Sequence, residues 1–308
     1  MKIVAAIGLA GALAIAAALP AHADTAGRDL HHLVAGDGRV TADGPKPGYI
    51  YVCTTAPFAR APRGREDTPW VRSDGTFDPG DKPVVEGGVR WPSELRIAAN
   101  GESRVITANA LPSSPTGVFP IPRDSAAFAY DRNPNAIAPQ TVRWTLPRLP
   151  VANERATCLG PGGPIGLFLD GSYLFNALDA AGRDGVAHEV QDSCGGHPAR
   201  RGDYHHHMAD LCVDLGDPAG TSPIVGYAVD GFAITGPYRD GRVVTNAELD
   251  ACHGRVDEID WDGERRRMYH YVANFEYPYT LGCYRGTPMT MPRPEGRRDA
   301  PRGPGARP

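Results

Sequence analysis

The sequence predicts a mainly β, disulfide-stapled, sandwich-like fold with short helices only, and three observations carry that prediction. Its 308 residues include 37 glycines and 30 prolines, which interrupt helices and mark turns. Short runs rich in β-branched and aromatic residues lie between them. The six cysteines, Cys53, Cys158, Cys194, Cys212, Cys252 and Cys283, are even in number and contain no CxxC spacing, so they read as disulfides rather than a zinc or thioredoxin-like motif.

Taken from the start of the chain, Lys2, the apolar run Ile3 to Leu19 and the small-x-small site Ala21-His22-Ala23 have the pattern of a cleavable secretory leader, residues 1–23. The run falls short of the ~20 apolar residues of a membrane span, and Pro20 ends it. No later segment is long and apolar enough to span, so the mature chain is expected to be soluble and periplasmic or extracellular. The formal net charge of −4, one unit more negative once Lys2 leaves, excludes a nucleic-acid partner. A protein or small-molecule partner stays open.

Residues 24–104 read as a β-rich extension packed on a main domain of residues 105–287, and residues 288–308 as a tail. The strand candidates are Gly48–Cys53, Arg104–Thr107, Thr141–Thr145, Ile165–Leu169, Ile224–Val229 and Met268–Val272. The best helix candidate is capped at Thr245 or Asn246 and runs through Asp250. The tail from Pro292 to Pro308 has no large apolar residue, so it cannot offset the entropy of ordering and is expected to be disordered.

The chain also resembles itself. Gly166-Leu-Phe-Leu-Asp170-Gly171 and Gly226-Tyr-Ala-Val-Asp230-Gly231 each end an apolar strand in Asp-Gly, a hairpin signal. Leu178-Asp-Ala-Ala-Gly-Arg183 echoes Leu249 to Arg255, and Tyr204-His205-His206-His207 echoes Tyr269-His270-Tyr271-Val272. Two hairpin units related by a pseudo-twofold axis are expected. On this alignment Gln191 to Pro198 is surplus in the first unit.

The chemistry gathers around five histidines, His188, His197, His205, His206 and His207. In a strand, His205 and His207 share one face, while Tyr204 and His206 share the other. Two imidazoles on one face can share a metal ion, with His197 delivered by the turn after Gly195-Gly196 and Asp192 as ligand or orienter. A pseudo-twofold packing is expected to bring His270 toward His205, giving a metal set of His205, His207, His197, His270 and Asp192. Copper and zinc lead, since neutral imidazole suits both. Met208, Met289 and Met291 offer a weaker cuprous pattern, and Asp230 is a carboxylate ligand, a base or a turn residue. There is no GxSxG, HExxH, phosphate loop or dinucleotide turn, so no organic cofactor and no catalytic residue is assigned.

Asp192-x-Cys194-x-Gly196-His197-Pro198, Tyr204-His205-x-His207 and Gly226-Tyr-Ala-x-Asp230-Gly231-Phe232-x-Ile234-x-Gly236-Pro237-Tyr238 together resemble the YHYH domain family of secreted proteins. Leu249-Asp250-x-Cys252-x-Gly254-Arg255, Tyr269-His270-Tyr271 and Tyr277-Pro-Tyr-x-x-Gly282-Cys283 continue the likeness, which extends over about residues 105–287. The second Tyr of the family signature is His206 here, and Ser113-Ser114 stands where an Asp-His-like pair is expected. The resemblance implies a domain and no reaction. Transition-metal binding, a metal-dependent hydrolase, in which the metal activates water, and a structural or adhesive module without metal are the three open functions.

The cysteines are paired by proximity as Cys194 with Cys212 and Cys252 with Cys283, leaving Cys53 with Cys158. Trimming after about Arg285 is expected to spare the fold. Deletion of Pro292 to Pro308 should leave the melting temperature unchanged in a thermal scan, and a large fall would mean that this segment is docked.

Overall fold

Turn residues space the strands closely, and antiparallel pairing follows wherever two runs are joined by a short loop. The computed structural model describes residues 30–56, 58, 68–160 and 162–290. The segment expected to be a leader and the tail beyond Thr290, with Met291, lie outside the described residues. The N-terminal part forms two small ladders, β1 (Leu33–Val34) with β4 (Thr76–Phe77), and β2 (Val40–Thr41) with β3 (Ile50–Tyr51). β5 (Leu95–Asn100), β6 (Ser103–Ala108) and β7 (Val142–Pro147) make an antiparallel three-stranded sheet. The division expected at residue 104 therefore falls within β6. Leu33, Ile50 and Phe77 join the same buried core as Leu167, Ile234 and Tyr271, so the extension has no separate core.

An eight-stranded sheet holds the rest. Its strands are β8 (Gly166–Phe168), β9 (Tyr173–Leu174), β10 (Gly196–Pro198), β11 (Tyr204–His206), β12 (Ile224–Ala228), β13 (Ala233–Thr235), β16 (Gly254–Trp261) and β17 (Glu264–Val272), with β14 (Tyr238–Arg239) and β15 (Arg242–Val243) as a side ribbon. The spatial order β10-β11-β9-β8-β12-β13-β17-β16 reads the same from either end once the two units are matched. β8 and β12 pair antiparallel at the centre, and Leu169 N donates to Val225 O as Val229 N donates to Ile165 O. The bonds repeat in reverse, as a twofold axis between the strands demands. The three-stranded sheet lies on one face: Trp144 stacks on Tyr173, and the Arg104 guanidinium sits over Tyr227 and Trp261 while Arg104 and Arg148 both bind Asp262 at 2.8 Å. The arrangement is an open two-layer one, mainly β and not closed.

All six expected strands are present. Each Asp-Gly loop bonds Gly N to the residue three before it, Gly171 to Phe168 O and Gly231 to Ala228 O, and only the glycine has positive φ. The aspartates instead turn inward, to 4% and 1% exposure for Asp170 and Asp230. The helix expected from Thr245 is a single 3-10 turn, Asn246–Glu248, with Thr245 N bonded to Glu248 Oε2 at 3.0 Å. One α-helical turn is unforeseen: α1 (Gly185–His188), capped by the Asp184 carboxylate, which accepts from Val186 N and Ala187 N. Arg285 N, Gly286 N and Met289 N all bond to the core, so trimming at Arg285 would cut into the fold.

The three disulfides are Cys53–Cys158, Cys194–Cys212 and Cys252–Cys283, as expected. They also correct the internal alignment. Asp192-x-Cys194-x-Gly196 is the counterpart of Asp250-x-Cys252-x-Gly254, so Gln191 to Pro198 is shared and not surplus. Gly196 pairs with His206 and Gly254 with Tyr271 in matching registers. At both glycines a Cβ would lie within 2.3 Å of a tyrosine, Tyr204 for Gly196 and Tyr269 for Gly254. Gly196→Ala and Gly254→Ala should each cost roughly 1–3 kcal/mol by forcing the ring aside, to a similar extent in urea unfolding. An unchanged midpoint in either would contradict the duplicated tyrosine packing.

Candidate metal centre

The turn that carries Asp192 determines where His197 points. Asp192 Oδ1 accepts from Cys194 N at 3.0 Å and Gly196 N at 3.1 Å, and Oδ2 accepts from Gly117 N at 3.0 Å and the Tyr204 hydroxyl at 2.8 Å. Both oxygens are occupied, so Asp192 is a positioning residue and not a ligand of the cluster. Burial pushes its carboxyl up, against the lowering effect of these donors. β10 then runs antiparallel to β11 with His197 opposite His205.

His197, His205 and His207 converge, all 3–4% exposed. His207 Nε2 lies 3.3 Å from His197 Nε2 and 3.2 Å from His205 Nε2. Glu189, just past the end of α1, lies against two of the three: its Oε2 is 2.9 Å from His207 Nε2 and 3.4 Å from His197 Nε2. Two of the rings are oriented from behind. His205 Nδ1 donates to Asp203 O at 3.0 Å and His207 Nδ1 to Asn176 O at 2.5 Å. With Nδ1 protonated in the neutral rings, Nε2 turns its lone pair inward. Phe175 stacks on His205 at 4.0 Å between centroids and walls off one side.

Burial and the neighbouring imidazoles hold His197 and His205 well below the ordinary histidine range. Burial opposes charge on His207 too, yet the Glu189 carboxylate raises its pKa above the ordinary value. The chain thus keeps two neutral imidazoles beside a histidine–carboxylate pair. Lys82 sits nearby, its Nζ bonded to Val186 O and Gln191 Oε1, and burial pulls it down to about 8.

His206 points to the other face, as expected, and joins a separate buried group with Asp170 and Asp210. His270 is not in the cluster. The twofold axis that was expected to bring it to His205 instead carries it to the far end of the sheet, five strand spacings or about 24 Å from β11. Its Nδ1 faces Thr235 Oγ1 at 3.1 Å, and burial lowers its pKa to about 4. The counterparts of His197 and His207 there are Arg255 and Val272, and Arg255 and Arg239 instead bind Asp257 at 2.6 and 3.0 Å. Asp230 accepts from the Tyr271 hydroxyl at 2.5 Å and from Gly286 N at 2.9 Å, so its role is to hold the turn and the strand. Glu189 was not foreseen from the sequence: it lies eight residues before His197, and only the turn at Asp192 brings the two together.

Residues 143–242 match the family model described as YHYH protein. The chain carries a YHYH domain. The match spans Asp170, Glu189, Asp192, His197, His205, His207 and Asp230 but stops before His270 and the Cys252–Cys283 disulfide, so it covers the first unit and the start of the second. No curated protein and no solved structure matches the chain.

Within the YHYH domain, Tyr204 links the two strands of the centre to Asp192. Tyr204→Phe leaves a buried carboxylate oxygen short of a donor and should lower stability by about 1–3 kcal/mol in urea unfolding. No change would mean that this bond does not hold the turn.

Proposed function

We propose that this YHYH-domain protein is exported and binds a transition metal, zinc before copper, through His197, His205, His207 and Glu189. The observation that carries the proposal is the convergence of three buried imidazoles, His207 Nε2 lying 3.3 and 3.2 Å from the Nε2 atoms of His197 and His205, with a carboxylate oxygen of Glu189 2.9 and 3.4 Å from those of His207 and His197. Electron-rich atoms this close repel one another unless a cation or a proton lies between them. Ligands at ~2.0–2.1 Å from a tetrahedral ion stand about 3.3 Å apart, whereas a square-planar set would show spacings near 2.8 and 4.0 Å. The His207–His197 and His207–His205 spacings of 3.3 and 3.2 Å match the tetrahedral value. Two backbone carbonyls orient the rings, the arrangement expected behind metal-bound histidines.

Binding is favoured over hydrolysis. All three imidazoles are buried, and of the four donors only Glu189, with 23% of its side chain exposed, reaches solvent. A closed four-donor set leaves no position for an activated water. The three disulfides and the leader-like first 23 residues support export to an oxidising compartment.

Zinc added to chelator-stripped protein should raise the melting temperature, and His205→Ala or His207→Ala should lose one bound equivalent by elemental analysis together with that rise. Glu189→Gln should weaken binding, and His206→Tyr should leave this centre loaded. Should the histidine variants bind as much zinc as the parent, with the same thermal shift, the proposal is wrong and the histidines are packing residues.

A further inference from the structure

The face of β11 turned away from the triad carries a second set of buried ligand-type side chains. Asp170, His206 and Asp210 are 4%, 0% and 0% exposed, and each offers a ligand atom within 4.8 Å of the other two. One oxygen of each carboxylate is used locally: Asp170 Oδ1 accepts from Ser172 N and Oγ, and Asp210 Oδ1 from Cys212 N. Asp170 Oδ2, Asp210 Oδ2 and both ring nitrogens of His206 lack a well-formed hydrogen bond, although Asp210 lies close to Asp170 and Ser114 and His206 to the Gly195 backbone. His206 Nε2 stands 3.9 Å from Asp210 Oδ2, too far for a hydrogen bond. Buried polar atoms are normally paired, so this under-satisfied group requires an explanation.

The other half of the sheet shows what this position is like when it is satisfied. There the counterpart of Asp170 is Asp230, and the counterpart of His206 is Tyr271, whose hydroxyl reaches Asp230 Oδ2 at 2.5 Å. His206 is shorter and has no hydroxyl, so Asp170 Oδ2 stays open. The residue two before the closing cysteine also differs, Leu281 in the second half and Asp210 in the first. A tyrosine–aspartate bond beside a leucine has become an imidazole between two carboxylates. Phe168 and Tyr204 pack edge-on against the ring and keep water out.

We propose that Asp170, His206 and Asp210 form a second cation site, distinct from the triad, that takes a divalent ion of hard to borderline character such as zinc or manganese. Two carboxylates and a neutral imidazole balance a 2+ charge, which removes the cost of burying either carboxylate alone, and a one-nitrogen, two-oxygen set suits those ions better than a soft one. This inference does not depend on the triad being a metal centre.

The test is the zinc and manganese content of the disulfide-intact chain after chelator stripping and dialysis against each ion. The parent should hold two equivalents of zinc. His206→Tyr, which restores the residue found in the other half, should hold one and keep its melting temperature. Asp210→Asn should also hold one, and the double variant His206→Tyr, His207→Ala none. If His206→Tyr binds as many ions as the parent, the second site is wrong, and loss on His207→Ala alone would still stand for the triad. If His206→Tyr loses an equivalent and His207→Ala does not, the second site stands and the triad proposal fails.

Discussion

Two carboxylates, the buried Asp192 and the solvent-exposed Asp250, organise the ends of this protein's main sheet. Each accepts from the backbone N–H groups two and four residues on and from a tyrosine on the neighbouring strand, Tyr204 for Asp192 and Tyr269 for Asp250. That set of bonds closes the turn, holds the half-cystine inside it and places the next strand antiparallel to the tyrosine's strand. Everything that faces the two outer strand pairs depends on it, including the direction of His197 in one half and of Arg255 in the other.

The same frame, used twice, serves as its own comparison. One end keeps three imidazoles and a carboxylate in line, and the other has replaced two of the three imidazole positions with Arg255 and Val272. The second end has become an ion-paired strand face around Asp257. A duplicated structural unit has thus kept its backbone bonds while its side chains diverged, which is why the fold does not by itself tell which end has chemistry. The donor atoms do. Burial makes their grouping consequential, because lone pairs that water would solvate at the surface have only one another here.

Much of this was legible in the sequence, for reasons that lie in local geometry. Period-two alternation placed His205 and His207 on one face and His206 on the other, and the even cysteine count led to the three disulfides, two by close spacing and Cys53–Cys158 by remainder. What was misread needed the third dimension. His270 follows the right alternation, but a strand pattern carries no information about the direction of a twofold axis. Asp192 has the spacing of a ligand, yet its oxygens are taken up by the turn it builds. Its counterpart Asp250-x-Cys252-x-Gly254 was present in the sequence and could have revealed that shared role. Glu189 has no periodic relation to the histidines, since the irregular turn at Asp192 separates it from them.

The central claim is that the three histidines and Glu189 surround one tetrahedral ion. X-ray absorption at the zinc edge on the His206→Tyr protein, which retains the triad alone, tests it directly. The account predicts four nitrogen or oxygen neighbours at about 2.0–2.1 Å with the outer-shell signature of three imidazoles. A six-coordinate oxygen shell without imidazole scattering, or an absence of bound zinc after loading, would contradict it.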